Sequence, residues 1–207
     1  MAPAARRRWL KPAVFTGALV PLAAVLWNAA HGNLGANPIA EAMNELGLSA
    51  LVFLLASLAC TPVREIFDWP WAVGLRRMLG LFAFFYALLH FATYALLDQR
   101  LNFPAILADV TKRPFIIAGF AAFVILVPLA ATSTARAVRR LGFPRWKRLQ
   151  RLAYVAGVLA IIHFVLRVKA DVREPAVYGI VLAVFLAARI ALFLRRRATA
   201  SRPTGTT

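Results

Sequence analysis

Apolar residues come in six long runs separated by short polar stretches. A helix needs about 20 mostly apolar residues to cross a hydrocarbon core of about 30 Å. The runs at Pro12–Ala30, Leu46–Thr61, Leu79–Leu97, Pro114–Ala131, Leu149–Leu166 and Tyr178–Leu194 approach that length. The second is the shortest and has room to extend at its start. The pattern predicts an all-α membrane protein with six transmembrane helices. Residues 1–11 and 195–207 form the tails of a single membrane domain at 12–194. Arg6, Arg7 and Arg8 resemble the start of a cleavable leader, but the first run exceeds the usual apolar stretch of about 7–15 residues. It is expected to be a retained helix.

Composition sharpens this picture. The 207 residues are 61% hydrophobic with 16% charged and a mean hydropathy of +0.70, against about 25% charged in soluble domains. A water-soluble enzyme and a disordered chain are both excluded. The formal charge is +17, and its distribution explains it. Arg6, Arg7, Arg8 and Lys11 precede the first run, and Arg64, Arg76 and Arg77 occupy the second loop. Arg136 to Arg151 crowd the fourth, and Arg195, Arg196, Arg197 and Arg202 end the chain. The first loop, His31–Glu45, has no Lys or Arg, and Glu41, Glu45, Asp98, Asp109, Asp171 and Glu174 fall in or beside the odd loops. The positive-inside rule puts even loops and both termini in the cytoplasm. Basicity therefore signals topology and contact with anionic lipid rather than nucleic acid. The chain shows no Walker loop or dinucleotide fingerprint, and no internal repeat is obvious. One cysteine, Cys60, reads as a packing residue and excludes a Cys-x-x-Cys-His haem attachment.

Ionisable groups inside a span are costly and are the first functional candidates. His90 and His163 lie toward the outer ends of the third and fifth runs, at similar depth. Two neutral imidazoles facing each other at one level suit the axial positions of a b-type haem. Residues three, seven and ten positions earlier share each histidine's face. They are Ala87, Ala83 and Gly80 before His90, and Ala160, Ala156 and Ala153 before His163. Both helices carry a stripe of small side chains fit for a haem groove, although the same spacing serves close helix packing without a cofactor. Arg167 and Lys169 are candidates to meet haem propionates or simply to snorkel. His31 ends the first span as a candidate outer-surface site, with simple solvation as its alternative.

The strings His31-Gly32-Asn33-Leu34-Gly35-Ala36-Asn37-Pro38, Arg76-Arg77-Met78-Leu79-Gly80-Leu81, Leu89-His90, Thr132-Ser133, Leu141-Gly142 with Trp146, and Tyr154 with His163 resemble the MsrQ (YedZ) family. This family is a haem-binding branch of the ferric-reductase-like transmembrane superfamily. The resemblance runs from about Trp9 to the last span. It implies a membrane b-type cytochrome fed by quinone or a cytosolic flavin reductase, and an association with FMN. It also implies electron delivery to a periplasmic molybdopterin subunit (MsrP-like) that reduces methionine sulfoxide in oxidised proteins. The catalytic site then belongs to that partner, and His90 and His163 match family haem ligands. One departure stands out. A histidine common in the family thirteen residues before the position of His163 is Gln150 here, a poor iron ligand. Either only the outer haem is present or an inner site is built differently, and the expectation is at least one haem.

Two other functions fit the same spans. A ferric-iron or oxygen reductase would use the same conduit without a molybdopterin partner. A non-redox carrier would use the histidines for substrate or protons, with Pro21 and Pro128 as its only candidate helix breaks.

Overall fold

The computed structural model describes residues 3–168 and 171–200. Its elements are α1 (Pro3–Ala18), α2 (Val20–Ala30), α3 (Pro38–Phe67), α4 (Pro70–Ala92) continuing into a π-helical turn (Thr93–Asp98), α5 (Phe103–Lys112), α6 (Pro114–Ala131), α7 (Ala135–Leu141), α8 (Phe143–Gln150), α9 (Leu152–Arg167) and α10 (Arg173–Ala200). Six helical stretches are long and apolar enough to cross a membrane: Trp9–Ala30, Pro38–Phe67, Pro70–Asp98, Pro114–Ala131, Phe143–Arg167 and Arg173–Arg195. Their outward faces expose Ile180, Val184 and Phe193, as expected where lipid replaces water. The chain is a multi-pass membrane protein.

Local sequence explains where the helices begin. α3 starts eight residues before the apolar run at Leu46. The Asn37 side chain accepts a hydrogen bond from the Ala40 amide at 3.2 Å. Pro38 fills the first helical position and Glu41 lies in the first turn. The second span is therefore the longest of the six, not the shortest. Asn102 caps α5 on the Ala105 amide at 3.1 Å. Gly142, at φ +75°, makes the turn between α7 and α8. The fifth span begins with α8 and passes a break at Arg151, rather than starting cleanly at Leu149.

The first span is broken differently. Pro21 has no N–H for the carbonyl four residues earlier, and the Tyr86 hydroxyl enters the ladder one residue on. It donates to Ala18 O at 2.7 Å and accepts from Leu22 N at 3.1 Å. Those two groups would bond each other in an unbroken helix. Tyr86 is fully buried, in one cluster with Ala18, Val25, Leu46 and Phe82, and so ties the first span to α3 and α4.

α3 packs most extensively on α4, and α6 on α9. The two hairpins run in the same direction and are copies of one design. Gly47-Leu48-Ser49-Ala50-Leu51-Val52-Phe53-Leu54 on α3 matches Gly119-Phe120-Ala121-Ala122-Phe123-Val124-Ile125-Leu126 on α6. Ala83, Ala87, His90 and Phe91 on α4 match Ala156, Ala160, His163 and Phe164 on α9. The matched positions meet in space: Leu54, Ala83, Leu126 and Ala156 form one buried cluster. A repeat not evident along the sequence thus emerges from the matched residues of the two hairpins and their shared cluster. α10 closes the bundle, placing Leu182 against Leu51, Leu55 and Leu58.

Tyr86→Phe removes both hydrogen bonds but lets Leu22 N and Ala18 O close on each other. The expected loss is about 1 kcal/mol, read as a thermal midpoint lowered by about 2–4 °C with helix content unchanged.

Candidate functional site

α3, α4, α6 and α9 enclose a cavity of about 630 Å³, within the range of small-molecule and cofactor sites. His90 and His163 enter it from the two equivalent hairpins. Each ring is pinned to the partner helix of its own hairpin. His90 Nδ1 donates to Met43 O at 2.8 Å, and His163 Nδ1 donates to Phe115 O at 2.6 Å. A carbonyl can only accept, so each Nδ1 carries the hydrogen and each Nε2 of the neutral ring keeps a free lone pair. The ring centres are 6.1 Å apart and the planes meet at 82°.

This arrangement suits two axial ligands of one metal. A metal–imidazole bond of about 2 Å, plus about 1.1 Å from ring nitrogen to ring centre, taken on both sides, gives about 6.2 Å. Two imidazoles leave the remaining coordination positions empty, and the described residues hold no group of three or more His, Cys, Asp or Glu that could fill them. A tetrapyrrole brings four nitrogens of its own. The walls are largely apolar, including Leu51, Phe91, Phe120, Phe123 and Phe164. Charge gathers at one mouth, where Arg113 and Arg167 stand among Glu41, Glu45, Asp98, Asp109 and Glu174. The residues therefore fit a flat, largely apolar ring held between two imidazoles, with its polar edge toward the charged mouth.

The mouth is held by specific contacts. Arg167 donates to the Asn44 side chain at 2.5 Å, joining the end of α9 to the start of α3. Asp109 on α5 pairs with Arg113 at 3.0 Å and accepts from the Tyr94 hydroxyl at 3.1 Å. Tyr94 lies in the π-helical turn that follows His90 by three residues, a local widening often found at functional sites.

The small-residue stripe divides. Ala87, Ala156 and Ala160 line the cavity. Gly80 instead faces Ser57, whose Oγ would lie 3.3 Å from a Cβ placed there. Ala83 is sealed in the central cluster, and Ala153 packs beside Leu51, Leu55 and Leu58. These three serve helix packing rather than the cavity wall. His31 is exposed outside the cavity, stacked on Trp27 at 4.1 Å and bonded to its own helix at Trp27 O, 2.9 Å. Lys169 lies outside the described residues. Gln150 donates to Leu129 O at 3.0 Å, and Trp146 Nε1 donates to Thr132 O at 3.1 Å. Both tie α8 to the end of α6, far from the two imidazoles.

Residues 42–161 match the family described as ferric reductase like transmembrane component, a span that covers both hairpins and both histidines. A protein-methionine-sulfoxide reductase heme-binding subunit MsrQ of Rhodospirillum rubrum is 47% identical over 96% of this chain and 95% of its own length. Proteins of the same name are 47% identical in Deinococcus radiodurans, over 88% of this chain and 90% of that one, and 46% identical in Bordetella pertussis, over 92% and 93%. The chain belongs to the MsrQ family. Its MsrQ fold is thus the all-α, six-span bundle with the paired histidines at its centre.

Over the mouth of this MsrQ cavity, Asp109 is the anchor of α5. Asp109→Ala removes the Arg113 pair, worth at most about 1 kcal/mol at a partly exposed site, and the Tyr94 hydrogen bond. Amide exchange across Phe103–Lys112 is expected to accelerate about five-fold or more, with α4 unchanged.

Proposed function

We propose that this chain is a membrane b-type cytochrome, holding one haem between His90 and His163 and relaying electrons to a reductase partner that repairs methionine sulfoxide. The observation that carries the reading is the facing pair of imidazoles, each pinned at Nδ1 with Nε2 free, inside an apolar cavity. The printed name of its relatives, a heme-binding subunit of such a reductase, supports it. Haem supplies one-electron chemistry, and the protein sets its ligands, its dryness and its distance to donor and acceptor. His90 and His163 fix the iron's depth between equivalent hairpins. Phe91, Phe120, Phe123 and Phe164 exclude water. Arg167, whose partner Asn44 is uncharged, is the cation at the mouth proposed to meet a propionate, while Arg113 is paired with Asp109.

Direction follows from charge. The end bearing Arg136, Arg139, Arg140, Arg145, Lys147 and Arg148 is assigned to the cytoplasm by the positive-inside rule, together with both termini. The histidines then lie near the outer face of a bacterial inner membrane. That placement suits delivery to a periplasmic molybdopterin subunit of the MsrP type, with quinone or a cytosolic flavin reductase as donor. Catalysis on methionine sulfoxide belongs to that partner. FMN enters only through the family resemblance, and no residue here is proposed to hold it.

In detergent-purified protein the expectation is a reducible Soret and α-band spectrum with about one haem per chain, lost in His90→Ala and His163→Ala. A colourless wild-type protein, or pigment unchanged in both variants, overturns the proposal. Because Gln150 is engaged with α6, Gln150→Ala is expected to keep the full haem content while lowering thermal stability by about 1 kcal/mol.

A further inference from the structure

We propose that Gly47 and Gly119 are paired positioning residues, each a notch in a neighbouring helix that seats one haem-ligating imidazole on a backbone carbonyl. The inference rests on the haem reading above and adds to it the residues that orient the ligands. In each hairpin the acceptor carbonyl lies four residues before the glycine, Met43 before Gly47 and Phe115 before Gly119. By α-helical geometry that carbonyl also accepts the glycine's own N–H. A carbonyl has two lone pairs, and here the second serves the imidazole.

The ring reaches that lone pair only because the glycine has no side chain. A Cβ on Gly47 would lie 3.0 Å from His90 Nδ1 and 3.1 Å from its Cε1. A Cβ on Gly119 would lie 2.6 Å from His163 Nδ1, 2.9 Å from Cε1 and 3.0 Å from Cγ. Both values for the closest approach sit at or below the limit that real Cβ atoms respect. The helix flanks are thus fitted to the imidazoles at the same edge that makes the hydrogen bond.

The repeat argues that this is one device used twice. Gly119 follows Gly47 by 72 residues and His163 follows His90 by 73, so both notch and ligand recur together. The two notches fix the tautomer, leaving Nε2 for iron, and hold the ring planes at 82°. A hydrogen bond from Nδ1–H makes a ligating imidazole more basic, which favours the oxidised iron. Loss of that bond raises the reduction potential.

The test compares full-length wild type with Gly47→Ala, Gly119→Ala and, as a control, Gly179→Ala. A Cβ at Gly179 would make only an ordinary contact, 3.5 Å from Ile161. The readouts are the midpoint potential and the low-spin ferric EPR signal, whose anisotropy follows the angle between imidazole planes. Both notch variants should shift the midpoint upward and change the anisotropy, Gly119→Ala more than Gly47→Ala. Haem retention should weaken by about 10- to 100-fold, and Gly179→Ala should match wild type. If Gly119→Ala does not accumulate, the milder Gly47→Ala decides. Notch variants with wild-type potential and EPR, in a protein that binds haem, overturn the notches alone. A wild type without haem overturns the haem reading and this inference together.

Discussion

Everything in the centre of this bundle follows from what a neutral imidazole requires inside a membrane. Its Nδ1–H is a polar group removed from water, and leaving it unpaired in an apolar interior costs several kcal/mol. The acceptors that the described structure gives the two rings are backbone carbonyls, each with one lone pair turned toward its own helix. His90 and His163 solve this by pressing against α3 and α6 at Met43 and Phe115. Helix spacing, ring orientation and the exposed Nε2 lone pairs are consequences of that contact.

The duplication gives the contact its symmetry. One hairpin would offer one ligand at an uncontrolled angle to any second. Two like hairpins gather Leu54, Ala83, Leu126 and Ala156 into one buried cluster, with α4 against α6 and α3 against α9. This packing sets the distance between the histidines before any cofactor is considered. Small residues matter here because apolar packing between helices has no hydrophobic drive in lipid and relies on close approach. Above this buried contact the helices part to form the cavity, and Ala87 and Ala160 line it. Charge is kept to the mouth, where Arg113 and Arg167 already have Asp109 and Asn44 as partners.

Much of this was legible in the sequence. Span number, helical class and the two intramembrane histidines follow from hydropathy and the cost of ionisable groups in lipid, and six spans and a shared cavity are found. The small-residue stripe was half legible. A period of 3.6 puts Gly80, Ala83 and Ala153 on the histidine face. Only the packed bundle shows that Gly80 packs on Ser57 within its own hairpin, while Ala83 and Ala153 are taken up in contacts between helices. Gly47 and Gly119 were missed because they lie on the opposite helix of each hairpin, which no single-helix periodicity can reach. Their signal was the match between Gly47–Leu54 and Gly119–Leu126, identical at Gly, Ala, Val and Leu, which becomes visible only when the two hairpins are aligned as units. The early start of α3 and the Tyr86 insertion depend on one cap and one hydroxyl, details that apolar length does not encode.

The central claim is that these two imidazoles share one iron. Near-infrared magnetic circular dichroism of the ferric protein reads axial ligation directly, through a charge-transfer band whose energy identifies the ligand pair. The account predicts a low-spin spectrum of bis-imidazole ligation with no high-spin component. A high-spin spectrum, or a low-spin band belonging to any other ligand pair, would contradict it.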